Sequence, residues 1–96
     1  MLEIKKEAKG SALKITLEGR LDTTTCPSLE AALEGAFEGV TDLKFDFEKL
    51  SYISSAGLRV LLSSQKVMNK QGKMVISNAS AEVKEIFDAT GFSDIL

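Results

Sequence analysis

Residues 51–62 read Ser51-Tyr52-Ile53-Ser54-Ser55-Ala56-Gly57-Leu58-Arg59-Val60-Leu61-Leu62. Upstream, over Val40 to Phe47, Leu43, Phe45 and Phe47 alternate with Lys44 and Asp46, which is the period of a strand. Downstream, Leu58, Leu61, Leu62, Gln65 and Met68 line one side of a helix expected over Ala56 to Lys70, closed by Gln71-Gly72. The stretch is therefore a strand-to-helix junction with Ser51 to Ser55 as its polar link. Serine at a helix start ordinarily accepts a hydrogen bond from a free backbone N–H, so capping is one reading of Ser54 and Ser55. Modification is the other. A phosphate here would sit at the positive end of the helix dipole among unpaired donors, so the fold could carry it. Its charge would face any docking partner. Ala56 and Gly57 are small enough to let another protein approach the hydroxyl.

Working outward, the same punctuation continues. Leu2 and Ile4 begin a first strand, Lys9-Gly10-Ser11 is a turn, and Leu13, Ile15 and Leu17 form a second strand in a hairpin with the first. The chain is expected to leave the sheet at Gly19-Arg20-Leu21-Asp22. Thr23-Thr24-Thr25 and Pro27 announce a helix, because proline suits a first helical turn. Leu29, Ala32, Leu33, Ala36 and Phe37 keep helical spacing up to Gly39. After the junction helix, Met74-Val75-Ile76 reads as a strand buried inside a sheet. Ser80 caps a third helix with Glu82 in its first turn and Val83, Ile86, Phe87 and Thr90 inward. Gly91 ends it, Phe92 covers the core or stays exposed, and Ile95-Leu96 begins a last strand. The order predicts a single α/β domain over residues 1–96. Its sheet is mixed but mostly parallel, with about four to five strands packed by three or more helices.

Composition narrows the function. The chain has 96 residues, 44% apolar and 27% charged, with a net charge of -2. Lysines and acids are interspersed, which argues against a nucleic-acid backbone as partner. There is no histidine and a single cysteine, Cys26. A structural zinc site, a Ser-His-Asp triad and an internal disulfide are all excluded on that inventory. Cys26 reads as a small packed residue near a helix start, with a reactive thiol as the alternative. No run approaches a membrane span and the start lacks a signal-peptide core, so a cytoplasmic protein with no membrane partner is expected. No Gly-x-x-x-x-Gly-Lys-Ser/Thr loop is present, so no cofactor is expected. Asp22, Asp46 and Glu48 are carboxylates without an evident pocket, and Asp46 reads as solvated or capping. Asp22 to Thr25 is a helix cap, a partner contact, or both. An enzyme with Ser55 as nucleophile would lack an activating histidine.

Three stretches together resemble the STAS-domain anti-sigma factor antagonists, or anti-anti-sigma factors. Gly19-Arg20-Leu21-Asp22-Thr23-Thr24-Thr25 is similar to the family's entry to its first helix. Ile53-Ser54-Ser55-Ala56-Gly57-Leu58 is similar to its phosphorylation loop. Ser80 to Phe92 is similar to its penultimate helix. The resemblance implies a non-enzymatic switch. Such proteins bind an anti-sigma factor with a kinase-like ATPase fold and thereby free a sigma factor. Phosphorylation by that partner ends the interaction, a phosphoserine phosphatase restores it, and the nucleotide belongs to the partner. It implies Ser55 as the phosphorylated residue, with Ser54 as the alternative acceptor. It also implies a docking surface made of Asp22, Thr25, Ser54, Ser55, Ala56, Gly57, Leu58 and Arg59. Many members carry aspartate where this chain has Ser54. A constitutive scaffold, or a subunit of a signalling or transport complex, without phosphorylation is the competing use of the same domain. The chain stops soon after Phe92, where members often continue into a further helix, so a minimal version is expected.

Overall fold

The computed structural model describes residues 2–90. The elements run β1 (Leu2–Lys9), β2 (Ala12–Leu21), α1 (Cys26–Leu33), β3 (Asp42–Ile53), α2 (Ser55–Gln71), β4 (Lys73–Ser77) and α3 (Ala81–Thr90). The sheet order is β1-β2-β3-β4. β1 and β2 form the expected antiparallel hairpin, whereas β2–β3 and β3–β4 pair in parallel. The expected side chain of Thr90, the stop at Gly91, Phe92 and the strand at Ile95-Leu96 lie outside the described residues.

The alternation in the sequence sorts the two faces. Leu13, Leu43 and Met74 share a register row, as do Ile15, Phe45 and Ile76. Leu13, Ile15, Leu43 and Phe45 are buried beneath the helices. The opposite face carries Lys14, Lys44 and Val75 in one row. Phe45, Phe47 and Phe87 continue the core as tilted pairs, with centroids 5.9 and 6.5 Å apart. Each such buried side chain contributes about 1.5–3 kcal/mol.

Several boundaries differ from expectation. β2 stays in the sheet through Leu21, and β3 runs through Ile53, where a polar link was expected from Ser51. The reason is that β3 carries extra residues relative to β2. Pairing slips from Thr16↔Asp46 to Glu18↔Lys49, and again from Gly19↔Leu50 to Arg20↔Tyr52. A strand with such bulges loses its simple alternation, which hides its length in the sequence. Side chains satisfy both slips. Asp46 Oδ1 accepts from the Glu48 N–H at 3.0 Å, and the Ser51 hydroxyl donates to the Gly19 carbonyl at 2.9 Å. Gly19 sits at φ 106, open to glycine but strained for other residues.

α1 ends at Leu33 and not near Gly39. Gly35 and Gly39, at φ 72 and 77, break the helix into turns. Ala36 and Phe37 still pack on the core, so their spacing persisted without a helix. β4 is an edge strand among the described residues, with Val75 exposed, so its apolar run does not mark a sheet interior. At α3, Ser80 Oγ accepts from the Val83 N–H at 3.2 Å, the expected cap.

Asp46 is buried and also accepts from Asn78 Nδ2 at 3.2 Å, with Lys14 Nζ 3.6 Å away. Its role is thus capping and not solvation. The Glu48 N–H, then Asn78, and more weakly Lys14 hold its pKa below the usual carboxylate value. A lowered folded-state pKa adds stability above the unfolded value, about 3.9, and that gain disappears as pH falls through the folded value. Asp46→Asn is therefore expected to lower stability by about 1 kcal/mol at pH 7, with a smaller loss at about pH 3. Urea titrations at both pH values check this; an equal loss at both would refute it.

Candidate functional site

β2 and β3 are parallel neighbours, so they end side by side, with Leu21 paired to Ile53. The loops beyond the carboxyl ends of parallel strands are where α/β sheets place their sites. Asp22 leaves β2 and Ser54 leaves β3 at this same pole. The Ser54 N–H donates to the Leu21 carbonyl at 2.8 Å and ties the two exits together.

The Asp22 turn is built from its own side chains. Asp22 Oδ1 accepts from the Thr24 hydroxyl at 2.6 Å, the Thr24 N–H at 2.9 Å and the Thr25 N–H at 3.1 Å. The Thr25 hydroxyl accepts from the Asp22 N–H at 2.9 Å and donates to the Arg20 carbonyl at 2.8 Å. The Thr24 hydroxyl, ahead of the backbone donors, holds the Asp22 carboxyl below its ordinary pKa, so it is ionised at neutral pH. Arg20 Nε lies 3.7 Å from Asp22 Oδ2, and its guanidinium rests 4.5 Å from the centre of the Tyr52 ring. The pole thus presents a fixed carboxylate and a stacked cation. Asp22 and Thr25 both organise the turn before α1, but although Thr25 stands at the N-cap position no side chain caps that helix, so their bonds stay within the turn and the expected helix-capping role is not what they fill.

The two serines differ. Ser54 is the cap of α2, extended at φ -97 and ψ 173, and its Oγ accepts from the Gly57 N–H at 3.3 Å. It is half-buried. Ser55 is the first residue of the helix and is exposed. Arg59, one turn further along α2, is exposed too. Serine and aspartate are both good N-caps, so Ser54 meets the structural need an acid would meet there.

Gly57 and Leu58 are buried and face the core. A Cβ on Gly57 would lie 2.8 Å from Leu21 Cγ and 2.9 Å from Ile53 Cγ1. Glycine is therefore needed for α2 to press onto the ends of β2 and β3. It does not serve to clear the surface for an approaching protein, as the sequence suggested. Ala56 is half-buried. Of the expected docking set, Ser55 and Arg59 are exposed, Asp22, Thr25, Ser54 and Ala56 are half-buried, and Gly57 and Leu58 are buried and set their position.

Cys26 opens α1 and is 3% exposed. Burial, reinforced by Glu30 and Asp22, pushes its thiol pKa up, with Ser54 acting weakly the other way. A protonated, enclosed thiol fits the packing reading and not the reactive one. Among the described residues, no group of three or more His, Cys, Asp or Glu could hold a metal ion. No helix there is long and apolar enough to cross a membrane. Arg20 and Tyr52 are members of this pole that sequence reasoning did not single out. Their only signal was the cross-strand pairing, which depends on the slipped register.

Known proteins share both the sequence and the shape. An anti-sigma-B factor antagonist of Bacillus subtilis is 31% identical over 85 residues, spanning 88% of this chain and 78% of that protein. One of Listeria monocytogenes is 32% identical over 94 residues, spanning 95% and 82%. The anti-sigma factor antagonist SpoIIAA in its unphosphorylated form superposes with a TM-score of 0.82 at 25% identity, covering 96% of this chain and 84% of that one. The Bacillus cell fate determinant SpoIIAA in its phosphorylated form superposes with a TM-score of 0.74 at 25% identity, covering 96% of this chain and 86% of that one. A model of the STAS domain matches residues 3–96, and with these relatives it shows that the chain belongs to the STAS domain family.

Proposed function

We propose that this chain is an anti-sigma factor antagonist that works as a phosphoserine switch in the cytoplasm. Its unphosphorylated form binds an anti-sigma factor with a kinase-like ATPase fold through the pole formed by Asp22, Thr25, Ser55 and Arg59. That binding releases a sigma factor. The partner transfers a phosphoryl group from its own nucleotide to the Ser55 hydroxyl, and a phosphoserine phosphatase removes it. The role is regulatory and not enzymatic: the chain has no histidine to activate a serine.

The observation that carries the reading is the division of labour between the two serines. Ser54 is occupied as the cap and turned partly inward, whereas Ser55 is exposed at the first helical position. A phosphate on Ser55 would lie beside the free N–H groups of the first turn of α2 and could be accommodated without unfolding the helix. Phosphorylation of Ser54 would instead require breaking the cap. The names of the relatives point the same way.

The test is phosphoryl transfer in vitro with the anti-sigma factor of the same organism and labelled ATP. Ser55→Ala is expected to abolish incorporation, and Ser54→Ala to leave it within about threefold while lowering stability by about 1 kcal/mol through loss of the cap. Label retained by Ser55→Ala and lost by Ser54→Ala would move the acceptor to Ser54. No incorporation into the parent protein would favour the constitutive scaffold.

A further inference from the structure

A groove of about 820 Å³ runs between α1 and α2, beginning beside Arg59 and ending at Gln71. Its apolar surface comes from Leu33, Phe37, Val60 and Val67, and Val67 is 41% exposed. Its α1 side is edged by Glu30, Glu34 and Glu38, all exposed. Among the described residues none of these three takes part in a salt bridge, and Arg59 is the one cation in the lining. The wall is stable, because Gln71 Nε2 donates to the Phe37 and Val40 carbonyls at 2.6 Å each. An open apolar strip with an unneutralised acidic margin specifies its occupant by charge and by shape.

We infer that this groove docks a basic amphipathic helix of a protein partner, its apolar face on Val60 and Val67 and its lysines or arginines against Glu30, Glu34 and Glu38. From Arg59 to Gln71 α2 rises about 18 Å, which matches about three turns of an opposing helix. The helix-in-groove mode needs just such a strip with flanking charge. The groove reaches the Ser55 pole through Arg59, so one partner can occupy both. The inference does not rest on the phosphoswitch, since no groove residue is modified in it.

The probe is a synthetic three-turn amphipathic peptide with leucines on one face and lysines on its flanks, titrated into labelled protein by NMR. Backbone amide shifts are expected to concentrate in residues 28–38 and 59–71. The affinity is expected to fall about tenfold in Glu34→Lys/Glu38→Lys, and similarly in Val67→Asp, with further weakening at high salt. These positions are exposed, and circular dichroism confirms the fold of each variant. Equal binding of a glutamate-flanked peptide, or shifts confined to other elements, would overturn the inference. So would self-association of the parent, seen by sedimentation, that Val67→Asp abolishes, since the occupant would then be a second copy. The titration is repeated on Ser55→Ala, where unchanged binding is expected. Failure of the phosphorylation assay would thus leave the groove standing, and the reverse holds too.

Discussion

Ser55→Asp is expected to fold at least as stably as the parent and to bind its anti-sigma factor about 100-fold more weakly. The two halves of this result have different causes. Ser55 is the first residue of α2, and the first turn of that helix contains no acid. A carboxylate there complements the positive end of the dipole and adds about 0.3–1 kcal/mol. At the proposed docking pole the same charge joins Asp22, which is held ionised by Thr24. An interface formed against a neutral hydroxyl would have to desolvate the new charge or face it with another. Either costs about 2–3 kcal/mol, which corresponds to about 30- to 150-fold in affinity. Calorimetric titration reads the affinity and a urea melt reads the stability. Undiminished affinity would remove the switch from Ser55. Lost affinity with a lowered melt would only report unfolding, and the expected opposite signs exclude that account.

Gly72→Ala is expected to remove about 3 kcal/mol or more of stability, a large share of the roughly 5–10 kcal/mol typical of a domain this size. Gly72 closes α2, and its N–H donates to the Met68 carbonyl at 2.7 Å. A Cβ there would lie 2.6 Å from the Thr41 carbonyl carbon and in collision with the Thr41 oxygen. Thr41 cannot yield, because its N–H donates to the Ser11 carbonyl at 2.9 Å and its own carbonyl accepts from Lys73 at 2.9 Å. Those bonds join the β1–β2 turn to the start of β4, so relief of the clash would disturb the sheet. Gly35→Ala is the control: a Cβ there meets nothing within 4 Å, and only the φ of 72 is unfavourable. That variant is expected to lose about 1 kcal/mol. Urea midpoints of the two variants measured together decide the matter. A loss at Gly72 no greater than at Gly35 would show that the backbone can move.

Much of this architecture was legible in the residues themselves. Alternation placed the inward row of β2 at Leu13, Ile15 and Leu17, and helical spacing placed Leu58, Leu61 and Met68 on the buried side of α2. Glycine, proline and serine marked most ends, because their backbone and capping preferences are local. The pattern from Gly19 to Gly57 also pointed to the family and to the pair of serines. These features are set by interactions within a few residues, so a linear reading can find them.

What only the tertiary structure decided depends on neighbours distant in the chain. The bulges in β3 became visible once β2 lay beside it, and they extend both strands to the same pole. Gly57 looked like clearance for a visiting protein until Leu21 and Ile53 were seen against it. Ser54 and Ser55 are equivalent as letters. The orientation of the first turn of α2, fixed by the Ser54 bond to Leu21 and by the packing of Gly57, makes one a cap and leaves the other exposed. The sequence by itself determined the elements and the chemistry at the junction. Packing between strands separated by a helix determined which hydroxyl faces outward, because the facing of a side chain is set by the surface its element is pressed against.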